Sequence, residues 1–213
     1  TCRCIRVRII RLVPLGVTLR NGESRGMAMA IAPPAIRRNS ERRVYILAAC
    51  GVILIVFSGF ARTFYLKLAF GTPALPLLLH VHGLVMSAWF VLFLLQASLI
   101  AGGRVCLHRR LGVVGALLAL TIVVLDPIVA IAAARQGHAP PGVPPLVFMA
   151  IPLCDVLVFA ILAGCAGAYR HHGDVHKRLM LLATVCGWAP ALARIPSPFL
   201  HRHIVADFVV VIG

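Results

Sequence analysis

Five apolar stretches of about 18 to 25 residues, each bounded by charge, divide the chain at 44–61, 77–101, 111–134, 145–169 and 179–200, and a sixth begins at Ile204. At a 1.5 Å rise per residue, such a stretch matches a hydrocarbon core of roughly 30 Å, so each reads as a membrane-spanning helix. The fold class this predicts is all-α: a polytopic transmembrane helix bundle of six or more spans, the last truncated. Two regions follow, a basic tail over 1–43 and a transmembrane helical domain over 44–213.

Composition narrows the partners. With 61% apolar residues, 13% charged residues and a mean hydropathy of +0.96, a water-soluble fold would have too little polar surface to cover itself. The formal charge of +15 raises the question of nucleic acid, but nearly all of the 21 Lys and Arg residues lie in the tail or within a few residues of a span. Lipid headgroups and the positive-inside rule account for that placement, so the expected partner is the lipid bilayer and not nucleic acid. One side of the spans carries Arg37, Arg38, Arg42, Arg43, Arg104, Arg109, Arg110, Arg170, Lys177 and Arg178; the other carries Arg62, Lys67, Arg135, Arg194 and Arg202. The larger set marks the cytoplasmic side, which predicts a bacterial inner-membrane protein with its N-terminus in the cytoplasm.

Of the seven cysteines, Cys50, Cys154, Cys165 and Cys186 fall inside spans, and Cys2 and Cys4 lack a partner pair, so neither a metal centre nor a disulfide framework is expected. Residues 1–26 hold six Arg without the apolar core or cleavage site of a secretory signal. They are expected to be dispensable and not native, with Met27 or Met29 as the start. Pro33-Pro34 is expected to delay helix until about Asn39 or Ser40, with Ser40 as the cap. The run at 204–213 is too short to cross as a helix, so the natural chain is expected to continue.

Two echoes stand out. His108-Arg109-Arg110-Leu111 leads into the third run and His176-Lys177-Arg178-Leu179 into the fifth, while His80-Val81-His82 and His201-Arg202-His203 open the second and sixth. Either spans two to three and four to five are a repeated pair of hairpins, or a basic turn with a histidine recurs because it suits any cytoplasmic loop. The string from His82 to Trp89 (His-Gly-Leu-Val-Met-Ser-Ala-Trp), with His108-Arg109-Arg110-Leu111-Gly112, His176-Lys177-Arg178-Leu179-Met180 and Arg194-Ile195-Pro196, resembles a family of uncharacterised bacterial multi-pass inner-membrane proteins. The resemblance runs from about residue 45 onward and implies the membrane class without an activity. Asp126-Pro127 is not a feature of that pattern.

Histidines gathered at both membrane faces invite comparison with b-type membrane cytochromes, whose helices ligate haem iron near each leaflet. On helical geometry His80 points about 160° away from the face that His82 shares with Met86, Trp89 and Gln96, and His176 shares a face with Met180 and Thr184. The candidate ligands for haem b are therefore His82, His108, His176 and His203, with Arg194 to meet a propionate. Against this stand the packing roles open to histidine at a membrane end, and the place of His108 and His176 at loop–helix junctions. His138, His171 and His172 are expected in solvent.

Asp126 and Asp155 lie inside spans, where an unpaired carboxylate costs several kcal/mol against lipid, so they should face the interior. Their depth places them with His82 and Arg194 in one outer polar layer, loosened by Pro127, Pro152 and Pro190. Such a layer suits a haem- or metal-binding redox or assembly protein, a small proton-coupled transporter, or a structural subunit with a membrane-protein partner or a second copy of itself. No serine elbow or zinc-protease spacing supports hydrolytic catalysis, and no catalytic residue is assigned.

Overall fold

The computed structural model describes residues 35–195, with side chains from Arg43 onward. Within that range the chain is helical and without strands: α1 (Ala35–Phe60), a π-helical turn (Ala61–Tyr65), α2 (Lys67–Phe70), α3 (Leu77–Ala101), α4 (Val105–Arg135), α5 (Pro145–Ala168), α6 (Gly173–Cys186) and α7 (Ala189–Leu192). Four helical stretches are long and apolar enough to cross a membrane: Arg43–Tyr65, Leu77–Ala101, Val105–Arg135 and Pro145–Ala168. Among the described residues the fifth run does not form a single helix of spanning length, and the expected sixth span lies outside them. The fifth run forms the 14-residue α6, which stops at Cys186, and residues 196–213 lie outside the described range.

The stop at Cys186 has two local causes. Gly187 follows, and a Cβ there would lie 3.2 Å from Met86 Cε and 3.4 Å from Phe90 Cζ, so the break is packed against α3. Pro190 then lacks the N–H that a continuing helix needs and opens the short α7 near its N-terminus. Pro127 and Pro152 are instead absorbed inside continuous helices. The expected start of the first helix also shifts. It begins at Ala35, directly after Pro33-Pro34, and Ser40 lies within it and not at its cap. Proline disfavours helix for the residue before it and is harmless to the turn after it, where the N–H is unused.

Sequential helices pack as antiparallel neighbours, α3 on α4, α4 on α5 and α5 on α6, and the ring closes where α1 meets both α3 and α7. The α3–α4 connection is short because Gly103 adopts a φ of 73°, letting Arg104 N–H return to Leu99 O at 2.8 Å. The core is small and aromatic at its centre: Val52, Val56, Trp89, Phe90, Ile122 and Phe159, with Ala183 and Ala191 where backbones approach. Gly59 is the tightest of these approaches, since a Cβ there would overlap the Ala191 carbonyl. Leu54, Leu84, Leu117, Leu120 and Leu157 are each more than half exposed, an outward apolar surface that water does not tolerate and a bilayer does. Over the described residues the chain is thus all-α, with four helices long and apolar enough to span a membrane, as a membrane protein requires.

Candidate functional site

Two histidine clusters occupy opposite ends of the bundle. At the Arg104 end, α4 starts six residues earlier than its apolar run, so His108 is the fourth residue of α4, and His176 is the fourth residue of α6. Both therefore sit a full turn inside their helices and not at the junctions inferred from hydropathy. Their rings meet edge to face, with centroids 6.2 Å apart and planes at 83°.

The environment sets what each ring can do. His176 Nδ1 lies 2.8 Å from Ala166 O. A carbonyl only accepts, so Nδ1 carries the hydrogen and the neutral ring keeps its lone pair on Nε2. Ala166 O belongs to the last turn of α5, where helical carbonyls lack intrahelical donors, so His176 also caps that helix. His108 stands beside the Gln96 backbone, and its Nδ1 is shielded from solvent without a hydrogen-bond partner, as is Gln96 Oε1. Arg109, Arg110, Lys177 and Arg178 flank the pair in sequence. Lys177 Nζ contacts Asp174 Oδ1 at 2.6 Å and lies 5.7 Å from the Tyr45 ring centre, tying α6 to α1. That hydrogen bond, and then the Lys177 charge, hold the Asp174 carboxyl below its ordinary value. His171 and His172 are exposed in the preceding turn, and His138 is exposed in the α4–α5 loop.

At the opposite end His82 of α3 meets Asp126 of α4, Nδ1 to Oδ1 at 3.1 Å. The two atoms are not aligned as a hydrogen bond, and each is sealed from solvent with no other partner. His80 faces elsewhere, 3.3 Å from Pro76 O and beside the Phe64 ring. Trp89, two turns along from His82, packs edge to face on Phe159 at 5.0 Å, with its Nε1 likewise unpartnered.

Of the four residues expected in one polar layer, the structure joins two. Arg194 lies with its guanidinium 4.7 Å from the Phe60 ring centre and donates to Pro190 O at 2.7 Å, on the α1–α7 side. Asp155 of α5 lies near enough to Cys186 at the end of α6 for its charge to act on the thiol. Among the described residues neither acid forms an ion pair with Arg194. His201 and His203 lie outside the described residues.

Two arrangements had no direct signal in the sequence. The π-helical turn, closed by Leu66 N–H to Ala61 O at 2.7 Å, aims Tyr65 at Ser87, whose hydroxyl lies 2.7 Å from the phenol and donates to Gly83 O at 2.6 Å. The approach of His108 to His176 was signalled only by their echoed quartets. Comparison of the chain with known protein families, curated proteins and solved structures finds no match.

Proposed function

We propose that this chain is a multi-pass membrane redox protein that binds haem b between His108 and His176. The observation that carries the reading is the disposition of the two rings. Their centres are 6.2 Å apart, close enough that both imidazoles would hold one iron between α4 and α6. Each ring also has a nitrogen to give: Nε2 of His176 is the lone pair left by its bond to Ala166, and Nδ1 of His108 is shielded and unpartnered. Haem would take its protein ligands from these two imidazoles and would supply one-electron redox chemistry when bound. Among the described residues no three His, Cys, Asp or Glu side chains converge on a bare-ion site, which favours haem over a bare ion. Arg109, Arg110, Lys177 and Arg178 furnish cations for the propionates at the same end, a role the sequence had suggested for Arg194. His82, engaged with Asp126, takes no part.

In this reading the protein is one of the uncharacterised bacterial inner-membrane family that its motifs resemble. It has six or more spans, a cytoplasmic N-terminus and its haem near the cytoplasmic face, where it would serve a membrane-protein partner. The test is the absorption spectrum of the full-length protein purified from membranes supplied with haem. A Soret band with the sharp visible bands of bis-histidine iron is expected, lost in His108→Ala and in His176→Ala and kept in His171→Ala. Absence of the band from folded wild type, or its survival in both alanine variants, overturns the reading.

A further inference from the structure

The structure assigns a second site at the other end of the bundle: we infer that His82 and Asp126 form a proton-binding pair inside the spanning region, holding one proton between an imidazole on α3 and a carboxyl on α4. The site is independent of the haem reading, because its residues lie elsewhere. His82 is five residues past the first residue of α3, about 8 Å along the axis, whereas Gln96, beside His108, lies about 21 Å beyond His82.

Three features define it. The facing atoms are 3.1 Å apart, each sealed from solvent, and neither has another partner, so whatever charge one carries is felt chiefly by the other. The side chains as a whole are 29% and 21% exposed, so the pair lies near the rim of the α3–α4 contact and not at the centre of the bundle. Asp126 is followed by Pro127, which has no N–H, so the carbonyl of Val123 one turn earlier loses its helical donor and adds negative potential near the pair.

Charge accounting then decides the number of protons. With none, a bare carboxylate stands within the bundle; with two, a bare imidazolium does. With one, the pair is neutral overall, as ion pair or as neutral acid and base, and that is the only state without an uncompensated charge in low dielectric. Other ionisable groups of this end include Arg62 over the Phe70 ring, Arg194 over Phe60, Tyr65 with Ser87 and His80 at Pro76, while Lys67, Arg135 and His138 lie at the flanking helix ends and loop. The ligand is a proton, and the chemistry is that of a membrane-embedded carrier step.

The experiment is the nitrogen magnetic resonance spectrum of His82 at neutral pH, in the full-length protein with labelled histidine, the signal being assigned by its loss in His82→Gln. Asp126→Asn is expected to change the His82 ring-nitrogen shifts, because the shared proton loses its partner, while Asp126→Glu preserves them. Unchanged shifts in Asp126→Asn overturn the proposal. Should Asp126→Asn fail to fold, infrared spectra decide: His82→Gln is expected to alter the Asp126 carboxyl band, which is assigned by the change of its frequency in Asp126→Glu. A carboxyl band unaltered by His82→Gln overturns the proposal equally. Both readouts are blind to haem, so loss of the haem site leaves this test intact.

Discussion

The imidazole of His176 closes the last turn of α5 by donating to Ala166 O at 2.8 Å, from a different helix and across a four-residue connection. Ala166 is fully buried, so its carbonyl has no water to turn to. The same ring that meets His108 edge to face therefore also holds α5 and α6 together.

Replacing His176 by Ala should leave that carbonyl unsatisfied and destabilise the protein by about 1–3 kcal/mol, measured as thermal unfolding in detergent. An equal loss in His171→Ala, whose ring is exposed, would show that the cap contributes nothing.

Gly59→Ala should cost about 1–3 kcal/mol or more, because the new methyl meets the backbone of Ala191 and not a side chain that could move aside. Gly51→Ala, which adds a methyl to the same helix in open space, should be neutral or slightly stabilising. Equal unfolding temperatures for the two variants would show that α1 and α7 do not approach as described.

Arg194→Ala and Asp126→Asn should be additive within about 0.5 kcal/mol, since the guanidinium rests on Phe60 and the carboxyl on His82. A rescue of Arg194→Ala by Asp126→Asn would instead show that the two charges meet.

Asp174 has its carboxyl pKa depressed by Lys177, so its contribution is present above the unfolded carboxylate value, about 3.9, and is lost as pH falls through the lower folded value. Asp174 is exposed, so the stability difference between wild type and Asp174→Asn should be small at neutral pH, shrink with salt and vanish in acid. A difference that grows as pH falls would contradict this.

Orientation is tested by cysteines at exposed histidines in a cysteine-free background. An impermeant thiol reagent applied to intact cells should label His138→Cys and spare His171→Cys, placing the α4–α5 loop outside and the α5–α6 turn in the cytoplasm. The reverse pattern would invert the topology.

Hydropathy alone determined the membrane class and four of the spanning helices, because a run such as 77–101 or 145–169 has no way to satisfy its length and composition except as a helix in lipid. It could not determine where the fifth run breaks, since an apolar run reads the same through Gly187, and only the packing of that residue on Met86 and Phe90 shows the break. It also misjudged the depth of His108 and His176: basic residues ended the apolar runs on paper, while the helices continued a turn further because Arg and Lys stems are compatible with helix. Sequence spacing separated His82 from His80 correctly, as both lie on one helix and share its 100° step. Which acid His82 would meet, and that Arg194 would turn to Phe60, depended on how separate helices rotate against each other, and no periodicity within one helix contains that angle. Only tertiary packing decided it.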